Sequence, residues 1–161
     1  MTLLAVLLPA LLMPLLLWLA PTNAPLPALL QPGQWPAAFW CMAAAGTAAT
    51  VAGVLDWRFH RSGGRRVSSA EHLAELAALG LGAPLFGLLA SASLVADPRA
   101  YLVPIVAVAL GMAGLIAFDE TRFHRACGRY ETVLHRVLVV GNSIAFLAWL
   151  SWCFGREVAR G

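Results

Sequence analysis

The chain has 161 residues, 60% of them hydrophobic and only 12% charged, with a formal net charge of +3. A soluble domain carries about twice that share of charge, and the apolar residues here fall in long unbroken runs, so the sequence reads as an integral membrane protein. Its eleven basic residues other than histidine are all arginine and cluster beside those runs, which reports membrane topology and anionic headgroups and gives no basis for expecting a nucleic acid partner.

Crossing the hydrocarbon layer takes about 20 mostly apolar residues in a helix, and five stretches qualify: 2–20, 36–55, 73–96, 101–118 and 133–154. The first is read as a retained span. A cleavable leader is the alternative, but the stretch lacks a basic start, contains Pro9 and Pro14, and exits through "LAPTNAPLPA", with prolines where small cleavage-site residues belong. Between the second and third spans lie Arg58, Arg61, Arg65 and Arg66, and Arg122, Arg125, Arg129 and Arg136 lie between or just inside the fourth and fifth. The other side carries only Arg99, Arg156 and Arg160. The positive-inside rule therefore puts both arginine-rich turns in the cytoplasm, the amino terminus inside and the carboxyl terminus outside. The expected setting is a bacterial inner membrane.

The two arginine turns repeat each other. "RFHRSGG" from Arg58 aligns with "RFHRACG" from Arg122, and after the turns "AEHLAELAAL" from Ala70 aligns with "YETVLHRVLV" from Tyr130. The expected fold is all-α: five transmembrane helices, the last four forming a four-helix bundle from two repeated hairpins related by an axis along the membrane normal. One membrane domain, 1–161, then divides into a first span with its outer loop (1–35), a first hairpin (36–98) and a second (99–161).

Chemistry enters through spacing. Asp56 and His60, Glu120 and His124, Glu71 and Glu75, and Glu131 and His135 are four residues apart, so each pair projects from one helix face. All four pairs fall at the cytoplasmic ends of neighbouring helices. His72 stands at the edge of the same face, and Asp119 is its less regular counterpart. Carboxylates and imidazoles converging from four helices are what di-iron and di-manganese bundles use, although those space Glu and His three apart and here the spacing is four. The expected ligands are Asp56, His60, Glu71, His72, Glu75, Glu120, His124, Glu131 and His135, holding two transition-metal ions. No thiolate belongs to the set, which favours iron, with manganese or zinc as alternatives. A haem between two histidines fits less well, because these histidines come with carboxylates one turn away. The competing structural reading is also local: arginine and carboxylate at span ends form surface ion pairs, and "SSAE" sets Ser68 three residues before Glu71 in a capping box. Glu131 follows "CGRY", which supplies no such cap.

The functional expectation is a membrane metalloenzyme, a metal-dependent oxidoreductase that oxidises, hydroxylates or desaturates a lipid or other lipophilic molecule with electrons from a donor. Arg58, Arg61, Arg122 and Arg125 would hold lipid headgroups or the ligand carboxylates. The alternatives are a zinc-dependent membrane hydrolase, a metal carrier or permease, and a non-enzymatic assembly factor. Transport is disfavoured because polar residues within the spans are few: Thr47, Thr50, Ser91, Ser93, Asn142 and Ser143.

Overall fold

A computed structural model describes residues 7, 9–24, 26–63, 68–123 and 127–158, apart from the side chains of Pro9, Glu75 and 156–158. The described residues form helices joined by short turns and irregular connections, with no strand among them. A short helix α1 (Leu12–Leu19) is flanked by single 3₁₀ turns, and four long helices follow: α2 (Ala37–Arg61), α3 (Ser69–Leu94), α4 (Leu102–Arg122) and α5 (Arg129–Val158). These four are long and apolar enough to cross a membrane. The first apolar run gives a shorter apolar helical stretch, Leu12–Thr22, and residues 1–6 and 8 lie outside the described part.

Each long helix runs past its apolar window at the arginine-rich end. Backbone hydrogen bonding does not stop where hydropathy falls, and the last turn of α2 carries Arg58, His60 and Arg61, cations that suit a helix carboxyl end. Gly63 terminates α2: its φ of +90° lies in the left-handed region, and the Ser62 amide donates back to the Arg58 carbonyl at 2.9 Å, a stop that favours glycine. At the start of α3 the expected capping box is present. The Glu71 amide donates to Ser68 Oγ at 3.2 Å, and the Ser68 amide donates to Glu71 Oε2 at 3.3 Å.

Close packing joins α2 to α5 and α3 to α4. Helices from the two halves of the sequence are thereby interleaved, whereas chain neighbours across the arginine turns approach less closely among the described residues. The α2–α5 approach depends on small side chains. A β-carbon at position 141 would lie 2.9 Å from the Ala45 carbonyl oxygen and 3.0 Å from Ala49 Cβ, so only glycine lets the two backbones come so near. Away from the arginine turns, Trp149 is buried and its indole Nε1 donates to Ser93 Oγ at 3.0 Å, while Ser93 Oγ donates to the Leu89 carbonyl at 2.8 Å. That relay ties α5 to α3. Phe39 packs edge-on against Trp35 and at a tilt against Trp152 at the same end. Elsewhere the outward apolar side chains, Val103, Leu110, Val140 and Leu147 among them, are exposed on the protein's surface, as lipid-facing residues are.

Candidate metal site

The site lies at the arginine-turn end, where α2, α4 and α5 converge. Asp56 and His60 occupy one face of α2, four residues apart as the sequence implies, and the small-residue contact sets that face against α5. Asp56 Oδ1 and ring nitrogens of His60 and His135 lie within 4.8 Å of one another. His60 Nε2 is 3.6 Å from Asp56 Oδ1 and 3.3 Å from Glu131 Oε1. His135 Nε2 is 3.6 Å from Asp56 Oδ1, and its Nδ1 is 3.1 Å from Glu120 Oε1. A chain of alternating carboxylates and imidazoles therefore runs Glu131, His60, Asp56, His135, Glu120, across three helices. The side chains of Asp56 and Glu131 are each 2% exposed, whereas Glu120 is 41% exposed. Phe59 packs edge-on against both the His60 ring and Tyr130, which closes the α2–α5 face beside the site.

Asp56 Oδ1 is buried and has no hydrogen-bond partner. A charge-assisted hydrogen bond between imidazolium and carboxylate spans about 2.7–2.9 Å, well short of the 3.6 Å seen to each ring. The longer separation has a simple geometric counterpart: two ligand atoms each ~2.1 Å from a tetrahedral ion lie ~3.4 Å apart. Carboxylate oxygen and imidazole nitrogen facing each other across such a gap could hold a metal ion. Two histidines and one carboxylate are the donors of non-haem iron(II) centres, and the same types ligate zinc.

The sequence-derived ligands divide accordingly. Asp56, His60 and His135 come together, with Glu131 against His60 and Glu120 against His135. Glu71 is buried, and its Oε2 serves the capping box. His72 is exposed on α3; one residue beyond Glu71, it is turned away by about 100°. Asp119 is buried in the last turns of α4. His124 and Arg125 lie outside the described residues, as does the side chain of Glu75. Of the headgroup candidates, Arg58, Arg61 and Arg122 are exposed, and the Arg61 guanidinium sits 5.3 Å from the centre of the Trp57 ring. The chain matches none of the protein-family models, curated proteins or solved structures with which it was compared.

The sequence placed His60 beside Asp56 and His135 beside Glu131, each pair on its own helix. Space adds the contacts between helices: Asp56 with His135, His60 with Glu131, and His135 with Glu120. The only hint of these in the sequence was the repeat itself, which matches α2 with α4 and α3 with α5.

Proposed function

We propose that this protein is a membrane metalloenzyme that holds a transition-metal ion on Asp56, His60 and His135, with Glu131 as a further carboxylate beside His60. The observation that carries the reading is the buried Asp56 oxygen, without a hydrogen bond and 3.6 Å from each of two imidazole nitrogens. A buried carboxylate oxygen without a hydrogen bond is costly, and an ionisable residue in a membrane helix points to a functional site; a bound cation would remove the cost. The donor types favour iron, then manganese or zinc. The repeat offers Glu71, Glu75 and His124 for a second ion, an extension that rests on the sequence.

The four-helix bundle of two repeated hairpins, the first span as a fifth helix, and an inner membrane with both arginine turns cytoplasmic belong to the same reading. There the ion would meet a lipid or quinone-like substrate from the bilayer, and oxygen and donor electrons from the cytoplasm. Bound iron would supply the oxidising chemistry, and Arg58, Arg61 and Arg122 would hold anionic headgroups near it. Transport is supported less, because Thr50, Ser93 and Ser143 each donate to a carbonyl of their own helix rather than lining a path.

The test is elemental analysis of protein purified in detergent, beside Asp56→Asn and His60→Ala. Stoichiometric metal is expected in the parent and at most a trace in either variant, with helical circular dichroism retained in all three. A parent without stoichiometric metal after reconstitution with iron(II), manganese(II) and zinc(II) would end the metalloenzyme reading.

A further inference from the structure

Glu120 has the sequence character of a ligand, but its observed contact is on the wrong nitrogen for one. His135 turns Nε2 toward Asp56 Oδ1, at 3.6 Å, and Nδ1 toward Glu120 Oε1, at 3.1 Å. At His60, by contrast, Asp56 and Glu131 both face Nε2. An imidazole coordinates a metal through a nitrogen that carries no proton, so the hydrogen of the neutral ring resides on the other nitrogen. A carboxylate accepts hydrogen bonds and has none to give. In the neutral ring the contact with Glu120 therefore requires Nδ1 to be the protonated nitrogen, which leaves the lone pair of Nε2 directed at Asp56.

From this division of the ring's two nitrogens we infer that Glu120 is a positioning residue: it fixes His135 in the Nδ1–H tautomer and aims Nε2 at the ion. The placement fits the role. Glu120 lies in the last turn of α4, on a different helix from Asp56, His60 and His135, and at 41% exposure it is the most open of the five groups. It thus steers the ring from the rim of the site while Asp56 and Glu131 fill its buried side. It also gives α4, which packs chiefly on α3, a direct hold on a ligand carried by α5. Outer partners of this kind govern metal affinity by about 10–100-fold.

The inference rests on the metal reading for its effect on affinity, but not for its effect on the ring. Both are measured on full-length protein in detergent. Two-bond hydrogen–nitrogen correlation spectra of ¹⁵N-histidine-labelled, metal-free protein, taken at a pH alkaline enough for a neutral ring, report the tautomer. The His135 signals are those missing in His135→Asn. Affinity is read by titration with cobalt(II). The parent should show the Nδ1–H tautomer. Glu120→Ala should release the ring to the Nε2–H form preferred in water and weaken cobalt binding by about 10–100-fold. Glu120→Gln, whose amide oxygen also accepts, should restore the tautomer and most of the affinity. An Nε2–H ring in the parent, or an unchanged tautomer in Glu120→Ala, overturns the inference. So does a loss of cobalt in Glu120→Gln as complete as in Glu120→Ala, which would make Glu120 a ligand. The expected tautomer changes in a parent that binds no cobalt would uphold the role of Glu120 and overturn the metal reading alone.

Discussion

Replacing Gly141 by alanine should damage the metal site without touching it. Position 141 is six residues beyond His135 on α5, about 9 Å along the axis at 1.5 Å per residue. The new β-carbon would meet the Ala45 carbonyl oxygen at 2.9 Å and Ala49 Cβ at 3.0 Å, where ordinary contacts begin near 3.5 Å. Both neighbours are rigid, one being backbone and the other a β-carbon, so α2 and α5 must separate by roughly half an ångström. Overpacking of this kind costs about 1–3 kcal/mol. The shift also exceeds the roughly 0.2 Å tolerance of metal–ligand distances, and it falls between the helix that carries Asp56 and His60 and the one that carries His135. Gly114→Ala is the control, since nothing lies within 4 Å of a β-carbon there. Both variants gain the same helix propensity, about 1 kcal/mol, so their difference isolates the steric effect. Thermal unfolding in detergent should place Gly141→Ala below Gly114→Ala by an amount equivalent to about 1–3 kcal/mol, and cobalt(II) should bind Gly141→Ala more weakly. Equal stability and equal affinity in the two would refute the idea that the α2–α5 approach holds the site together.

Ser68→Ala removes the acceptor of the Glu71 amide and should destabilise the protein by about 0.5–2 kcal/mol, read as a lower midpoint in the same unfolding assay, with Ser68→Asp restoring most of it. Trp149→Phe deletes the donor to Ser93 and should cost about 0.5–1.5 kcal/mol for the hydrogen bond, while cobalt affinity stays at the parent value because the change lies at the opposite end from the site. Single cysteines introduced at Ser62 and at Gly128 in a protein freed of its own three cysteines should react with a membrane-impermeant maleimide only from the cytoplasmic side; labelling of either from outside would reverse the topology.

Much of this protein was legible in its sequence because the bilayer imposes simple rules. The four long helices begin within a few residues of the expected spans at 36–55, 73–96, 101–118 and 133–154, since each answers to one local quantity, the length of an apolar run. The capping box of Ser68 and Glu71 was legible for the same reason: both partners lie within one turn. The four-residue spacing of Asp56 and His60 placed them correctly on one face of α2. The first span was less legible. Its prolines and leucines give apolar composition throughout, but the helix described there is only Leu12–Leu19 with 3₁₀ turns on either side, which matches the weak helical propensity of a stretch punctuated by proline.

By itself, then, the sequence determined the helices, their shared charged end, and the residue types that end would contain. Periodicity identifies the face of a helix on which a side chain lies. It does not identify the helix that this face will meet. That choice belongs to the tertiary structure, and it turns on volumes far apart in the chain: Gly141 against Ala45 and Ala49 draws α5 onto α2 and brings His135 to Asp56 and Glu131 to His60. The roles of the carboxylates were likewise decided in space. Glu120 and Asp56 align in the repeat and share the same chemistry, yet one lies buried between two imidazole Nε2 atoms and the other reaches an Nδ1 from the rim. Only the packing of α4 and α5 at that end separates them, because hydrogen bonding and coordination depend on distances of a few ångströms that no spacing along the chain can fix.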